Sequence, residues 1–160
     1  MINLNRFIKK EYNENIRYII EESFGSTIHD NIASWVEFQV FSNNENIALD
    51  KPISYNFVPQ RDITGQSDVS YINNGVCSLE EWVSVNISLQ KYNPVKILID
   101  LEQEVKVDKI IIHHGWWTKR AFKNRIHVSV DAKNWYCIYD YKTDGLFYEF
   151  ENNPFQLILE

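Results

Sequence analysis

The chain has 160 residues and a formal net charge of −6, with 44% hydrophobic and 14% aromatic residues. This length and composition are typical of one globular domain with its own core, so disorder is not expected. The acidic balance argues against a general nucleic-acid binder, because phosphate binding needs an excess of Lys and Arg.

The two cysteines and the N-terminal residues indicate the compartment in which the protein is expected. Cys77 and Cys137 cannot make a disulfide framework and form no Cys-x-x-Cys pair, so we predict reduced, buried thiols, with one disulfide as the alternative. Residues 9–11, Lys-Lys-Glu, stand where a secretory signal needs an apolar run, and no apolar stretch approaches the roughly 18 residues of a membrane span. A complete chain is therefore expected in the cytoplasm, whereas a domain cut from a longer protein leaves the location open.

The first predicted element is an amphipathic helix over residues 3–24. Apolar residues recur there at intervals of three and four, from Leu4 to Phe24, and Gly25 follows as a stop signal. We therefore divide the chain into an N-terminal helix, residues 1–28, and a second unit, residues 30–160. Such a helix usually packs on its own domain, and the alternative is a helix that docks a protein partner or a second copy.

After Gly25 the pattern changes to short strands. Strand signals cover residues 35–41, 81–89, 97–101, 106–114, 126–130, 135–141, 147–150 and 155–159. Residues 47–80 hold many turn formers and little regular period. Many short strands without interleaved helices indicate an all-β fold, an antiparallel sandwich or jelly roll, which follows the N-terminal helix.

The loop between two strand signals, residues 113–125, carries aromatic and cationic side chains together. The candidate ligand-binding residues are His113, His114, Trp116, Trp117, Arg120 and Arg125. A guanidinium fork bridges paired vicinal hydroxyls, and an aromatic face stacks on the apolar C–H face of a sugar ring, so these residue types predict a carbohydrate site. The alternative is that one tryptophan is core, the other covers the sheet edge, and both arginines are solvated.

Three segments, in order and spacing, carry a resemblance to a known family. Residues 46–52 read Asn-Ile-Ala-Leu-Asp-Lys-Pro, residues 97–101 read Ile-Leu-Ile-Asp-Leu before an Ile-rich run, and residues 128–135 read Val-Ser-Val-Asp-Ala-Lys-Asn-Trp. Together they resemble the coagulation-factor type C, or discoidin-like, domain, which is related to fucose-binding lectins and galactose-binding modules. The resemblance implies a jelly roll with binding loops at one end, where His114 and Arg125 match positions that bond sugar hydroxyls.

The sequence departs from the family pattern at several points, one of them Val95-Lys96, which stands where the family has an aromatic pair. Glu102 and Ala132 stand where the family usually has Gly, which predicts turns of another type. The family's closing Arg-Tyr-(Val/Ile)-Arg strand has no match. Either the N-terminal segment completes the sandwich, or the chain is a fragment of a longer protein.

The resemblance also implies a structural Ca²⁺ beside residues 71–75. Glu37 and Asn74 match positions that would hold it, with Asn74 in place of an aspartate. Calcium favours carboxylate charge, so the neutral Asn lowers the expected affinity. No other cofactor is expected.

No catalytic set emerges from the sequence. The acidic pairs, among them Glu21 and Glu22, are interpreted as solvated faces or caps, and no phosphate loop or nucleophile motif is present. We therefore predict a non-catalytic binding module that takes a carbohydrate through residues 113–125. The alternatives are an intracellular protein-interaction adaptor and a targeting domain cut from a larger carbohydrate-active or glycan-assembly enzyme.

Overall fold

The structure, a computed structural model, describes residues 7–59, 68–115 and 118–160. Almost all regular structure in these ranges is β. The strands are β1 (Ile8–Lys10), β2 (Ile16–Ser26), β3 (Ile32–Trp35), β4 (Glu37–Ser42), β5 (Glu45–Asn46), β6 (Ile53–Tyr55), β7 (Val83–Asn86), β8 (Val95–Val105), β9 (Lys109–His113), β10 (Arg120–Ser129), β11 (Tyr136–Asp140), β12 (Tyr148–Glu149) and β13 (Phe155–Leu159). Helical structure in the described ranges is limited to one α-helical turn, α1 (Tyr141–Asp144), and two 3₁₀ turns, Val69–Asn73 and Ile87–Leu89.

The strands form two main sheets and one ribbon. The five-stranded sheet has the order β1-β13-β9-β4-β5, and the six-stranded sheet has the order β11-β10-β2-β8-β6. A separate ribbon pairs β3 with β7, and β12 pairs with β10. The pairs between the named strands are antiparallel except β1 with β13. Among the named strands, only β4 with β5 and β10 with β11 pair as neighbours in the chain, so most of the sheet pairing joins distant segments.

The core lies between the two main sheets. Alternate residues of each strand face inward, so Ile110 and Ile112 of β9 are buried together with Ile126 and Val128 of β10. The largest fully buried side chains are Trp35, Tyr139, Phe38 and Phe155. The prediction of an all-β sandwich is therefore confirmed.

The predicted N-terminal helix is wrong in the described part of its range. Residues 16–26 form β2, which lies between β10 and β8 in the middle of the six-stranded sheet. Ile16 and Ile19 face the core, whereas Ile20 and Phe24 lie on the outer face. Because apolar residues lie on both faces of the strand, their intervals of three and four resemble those of an amphipathic helix. A register shift between Ile16 and Tyr18 adds to the mismatch. The segment is therefore part of the sandwich, and the docking helix has no basis there; residues 1–6 lie outside the described residues.

The predicted loop 113–125 is shorter than expected. β10 begins at Arg120, so the connection between β9 and β10 is confined to residues 114–119. The alternation of a strand then places Arg125 on the outer face of the six-stranded sheet and Asn124 inside. Residues that the sequence grouped in one loop therefore lie on different faces.

Both cysteines are free thiols, but they are exposed rather than buried. Cys137 lies in β11, which is the outermost strand of the six-stranded sheet, so its side chain is not covered by a neighbouring strand. Cys77 lies in the connection before β7, so neither thiol is in the core, and the prediction of buried thiols is wrong.

Two turns place a residue other than glycine in a left-handed backbone conformation. Glu102 and Ala132 both have φ of 59°, in the left-handed region that glycine adopts without cost. Both residues thus have the conformation that glycine favours, and the prediction of turns of another type stays a prediction. In the turn at Ala132, the Asp131 carboxylate accepts the N–H groups of Lys133 (2.9 Å) and Asn134 (2.8 Å), which stabilises the strained residue.

Replacing Ala132 by Gly is expected to raise the free energy of unfolding by up to about 1 kcal/mol, because the left-handed conformation costs a Cβ-bearing residue roughly that much. Urea denaturation measures the change. Lys133→Gly is the matched control, since Lys133 lies in the same exposed turn without a positive φ. Equal losses of stability in both variants would contradict the role given to Ala132.

Candidate functional site

A cleft of about 290 Å³ opens at the end of the sandwich where β2 ends and β10 begins. We call it the Trp82 cleft. Its lining residues are Ser26, His29, Ile32, Ser34, Trp82, Ser84, Arg120 and Phe122. They come from the end of β2, the β3–β7 ribbon and the start of β10, which are elements far apart in the sequence.

Local geometry fixes the rim of this cleft. Gly25 has φ of 97°, and a Cβ there would lie 2.3 Å from the carbonyl oxygen of Asp30, so only glycine fits. The Oγ of Ser26 accepts the backbone N–H groups of Ile28 (3.3 Å) and His29 (3.0 Å). The tight turn after β2 thus places His29 beside the ribbon.

Arg120 is the cation of the Trp82 cleft. Its Nε donates to the carbonyl oxygen of Thr118 (3.2 Å), and a terminal nitrogen donates to Thr118 Oγ1 (2.8 Å). Burial lowers the pKa of Arg120 and the carboxylate of Glu149 raises it, but an arginine side chain remains charged in proteins. A held guanidinium lies in the same cleft as the half-buried indole of Trp82.

A buried charged cluster lies next to this cleft, around His114, the first residue after β9. His114 is 1% exposed, and each ring nitrogen faces a carboxylate: Nδ1 lies 2.7 Å from Glu149 Oε2, and Nε2 lies 2.9 Å from Glu21 Oε1. The Nε1 of Trp35 donates to Glu21 Oε1 (2.8 Å), and the amide of Asn124 donates to Glu21 Oε2 (3.3 Å). Glu21 was predicted on a solvated face, which is wrong because strand alternation turns it inward.

The charge state of the cluster follows from its contacts. Burial by itself lowers the pKa of His114, but the carboxylates of Glu149 and Glu21 outweigh burial and raise the pKa to about 10. Burial raises the pKa of Glu149, against the pull of the imidazolium. His114 therefore stays protonated at neutral pH, where it neutralises one carboxylate charge.

The cluster also anchors the 114–119 connection. The backbone N–H of His114 donates to Glu149 Oε1 (3.3 Å), and the Oγ of Ser34 donates to the carbonyl oxygen of His114 (2.6 Å). His114 is thus held by its side chain and by both backbone groups. This geometry does not favour a direct sugar contact by His114, and it makes the residue a support for the connection.

The other predicted site residues are not all brought together. His113 is half-buried, and burial, with the charge of His114, lowers its pKa to about 4, so it is neutral at pH 7. Arg125 lies on the outer sheet face, where its Nε donates to Asp140 Oδ2 (3.0 Å) and its guanidinium covers the ring of Phe24 at 5.0 Å. The predictions for Trp116 and Trp117 fall on residues outside the described ranges.

The sequence interpretation missed Trp82 and His29 as cleft residues. Trp82 precedes β7 and alternates with Val83, on the same side as the polar Ser84. A large aromatic residue on the polar side of a strand was the sequence feature that could have indicated a binding residue. The pairing of Ser34 with Ser84, which builds the ribbon, joins residues 50 positions apart and has no local signature. Of the predicted residues, Arg120 alone has a place in the lining of the cleft as described.

The predicted calcium ligand Glu37 is a buried carboxylate. Glu37 is 0% exposed, and neither carboxylate oxygen has a hydrogen-bond partner within the described ranges. Burial raises its pKa to about 8; the N–H groups of Gly75 and Val76 lower the pKa without making well-formed hydrogen bonds, and Asp50 and Glu81 raise it further. An unpartnered carboxylate in this position fits a cation.

Asn74 fits a cation less well. Its Oδ1 accepts the N–H of Val76 (3.0 Å), and its Nδ2 donates to Glu81 Oε2 (3.0 Å). Among the described residues, no group of three or more His, Cys, Asp or Glu side chains could hold a metal ion. Glu37 would supply charged oxygens to a calcium ion, and Asn74 would shape the turn beside it; the calcium site stays a prediction.

Within the described ranges, no helix has the length and apolar character needed to cross a membrane. Comparison of the chain with protein-family models, with curated proteins and with solved structures finds no match. The relation to discoidin-like domains therefore depends on the three sequence segments alone.

Proposed function

We propose that this chain is a non-catalytic carbohydrate-binding module with a discoidin-like jelly roll, and that the saccharide binds in the Trp82 cleft beside Thr118 and Arg120. The observation that carries the proposal is the placement of the Arg120 guanidinium, held by Thr118, in one cleft with the indole of Trp82. An indole face binds the C–H face of a sugar, and the guanidinium fork binds vicinal hydroxyls.

The remaining lining suits the same ligand. Ser84 adds a hydroxyl group, and His29 adds an imidazole at the rim. The volume of about 290 Å³ is at the lower end of ligand pockets, which corresponds to one or two sugar rings. None of the described lining residues is Asp or Glu, and glycoside hydrolysis commonly uses a pair of carboxylic acids, so binding without cleavage is the simpler function.

Saccharide binding is expected to depend on Trp82 and Arg120. Titration calorimetry with galactose, fucose and galacturonic acid should give saturable binding of at least one sugar, weakened about tenfold or more by Trp82→Ala and Arg120→Ala. Arg120→Lys, which keeps the charge and loses the fork, should retain part of the affinity. Arg17→Ala is the matched control, because Arg17 is paired with Asp100 on β8 outside the cleft. Unchanged affinity in Trp82→Ala would rule out this cleft.

The adaptor alternative now depends on a different surface from the one first predicted. An apolar groove of about 690 Å³ includes Leu89, which is 75% exposed, and Val58, which is 74% exposed, beside Tyr55 and Tyr92. Exposed apolar patches of this kind mark protein contacts. Flat responses to the whole sugar panel would favour this alternative over the carbohydrate module.

A further inference from the structure

A second cleft lies at the opposite end of the sandwich, where β2 begins and β10 ends. It has a volume of about 710 Å³, and its walls include Tyr12, Asn13, Asn15, Asn134 and Tyr136. We call it the Tyr136 cleft. In the sheet register Phe122 pairs with Ser26 near one cleft and Ser129 pairs with Tyr18 near the other. Seven residues of strand separate these pairs, so the clefts are about 20 to 25 Å apart and independent.

Two tyrosine rings form the aromatic part of the Tyr136 cleft. The ring centroids of Tyr12 and Tyr136 are 6.2 Å apart, and the ring planes are inclined by 55°. Tyr136 is 61% exposed, and Tyr12 is half-buried. Two inclined faces at this separation offer a saccharide one ring to stack on and a second along its edge.

Side-chain amides supply the polar groups. Asn13 and Asn15 are exposed on the turn before β2, and no hydrogen bond occupies their amides within the described ranges. The Nδ2 of Asn134 donates to Asp131 Oδ2 (2.8 Å), which fixes the amide and leaves its carbonyl oxygen for a ligand. Each amide offers donors and an acceptor, a pattern that matches neighbouring sugar hydroxyls.

The charge of the lining selects against anions. The described lining contains the carboxylates of Glu14 and Asp131 and no Lys, Arg or His. The Asp131 carboxylate is committed to its own turn, where it accepts the N–H groups of Lys133 and Asn134. A phosphate or uronic acid would therefore meet repulsion without a cation to offset it, whereas a neutral polyhydroxylated ligand would not.

Both walls are held in place before any ligand arrives. The N–H of Tyr12 donates to the carbonyl oxygen of Glu160 (2.8 Å), and the N–H of Glu160 donates to the carbonyl oxygen of Lys10 (2.9 Å). The opposite wall is held by the hydrogen bonds of the Asp131 turn. A preformed cleft loses little conformational freedom on binding, which favours measurable affinity for a weakly interacting ligand.

We propose that the Tyr136 cleft is a second binding site, specific for a neutral oligosaccharide. Stacking comes from Tyr12 and Tyr136, and hydrogen bonds to hydroxyls come from Asn13, Asn15 and Asn134. The site does not depend on the Trp82 cleft, so either site can be present without the other.

The test is an NMR titration of the full chain with maltotriose, cellotriose and a galactose trisaccharide, each to about 10 mM. We expect at least one of them to shift the backbone amides of residues 12–15 and 131–136 saturably, and Tyr136→Ala to weaken that binding about tenfold or more. Tyr92→Ala is the matched control, since Tyr92 is also exposed and lies outside both clefts. Trp82→Ala should leave these shifts unchanged.

Any one of several outcomes would overturn the proposal: no shift with any of the three probes, equal affinity in Tyr136→Ala and wild type, or a trigalacturonate that binds as tightly as the neutral probes. Preferential binding of spermidine, a polyamine, would also overturn it, because it would assign the cleft to cations. Tyr136 is largely exposed, so its replacement leaves the core intact. A thermal melt of each variant checks this, and Asn13→Ala provides a second variant, at an exposed residue, with the same expected loss of affinity.

Discussion

Replacing His114 by Ala is expected to lower the free energy of unfolding by about 3 to 5 kcal/mol, because the change leaves two buried carboxylates without their cation. His114 lies between Glu149 and Glu21, and all three side chains are almost fully buried. The change also removes the side-chain contacts that fix His114, the first residue of the connection between β9 and β10. Urea denaturation at pH 7 measures the loss.

His127→Ala is the matched control. His127 contacts Glu22 on the outer face of the same sheet, where both side chains are partly exposed. A contact between partly exposed side chains contributes little, so this variant should lose about 1 kcal/mol or less. Similar losses in the two variants would show that the cluster around His114 does not hold the sandwich together.

The protonation state of His114 has its own signature. Its pKa is raised above the ordinary value of 6.5 to about 10, so the stabilisation that it provides is complete below pH 6.5 and is lost as the pH rises through about 10. The neighbouring His113 has a pKa lowered to about 4. In an NMR titration of ring ¹⁵N shifts, His113 should be neutral and His114 protonated at pH 7.5, and a neutral His114 would contradict the proposed cluster.

The second large effect is expected at Glu37. Replacing Glu37 by Gln should raise the free energy of unfolding at pH 9 in the presence of a chelator by about 2 to 4 kcal/mol. The pKa is raised from 4.5 to about 8, mainly by burial, so the folded state holds a proton that the unfolded state has released. Stability is therefore highest below pH 4.5 with respect to this group, and it falls as the pH rises through about 8. Gln carries no charge, so the variant lacks this fall.

If Glu37 binds calcium, the ion should make the wild type more stable than Glu37→Gln, the reverse of the order in chelator. Thermal melts of wild type with calcium should then shift upward relative to melts with chelator, and Glu37→Gln should not respond. Glu104→Gln is the control, because Glu104 is an exposed carboxylate in the same sandwich. A wild type that melts at the same temperature in calcium and in chelator would rule out the calcium site. A wild type as stable at pH 9 as Glu37→Gln would contradict the destabilising effect of a buried Glu37 carboxylate.

The sequence predicted the strands that have one clear face. Residues 155–159 form β13 as predicted, and 135–141 contain β11, because apolar residues alternate there over a short run bounded by turn formers. β2 was predicted as a helix because both of its faces carry apolar residues. The sequence therefore lacks the alternation of apolar and polar residues that identifies a strand, and it does not indicate that β2 lies at the centre of the sheet. A β-branched run such as Ile19-Ile20 was the signal that favoured a strand.

The site was less predictable because its residues meet only through long-range pairing. Glu21 and His114 are 93 positions apart, and Glu149 contacts His114 from 35 positions away. Local spacing gives Glu21 an inward position only once β2 is known to be a strand. Arg120 was identified from its residue type, but its cleft depends on the ribbon that brings Trp82 beside it. Conversely, His114 and Arg125 matched a family pattern, yet their side chains point to the core and to the outer face.

The most direct test of the carbohydrate module is the indole region of a ¹H–¹⁵N NMR spectrum during titration with the sugar panel. The chain has five tryptophans, so five indole N–H signals are expected. The indole of Trp35 is buried and donates to Glu21, which makes it an internal reference. We predict that a bound sugar shifts the Trp82 signal saturably while the Trp35 signal stays in place. A Trp82 signal that does not move with any sugar, up to about 50 mM, would contradict the proposed function.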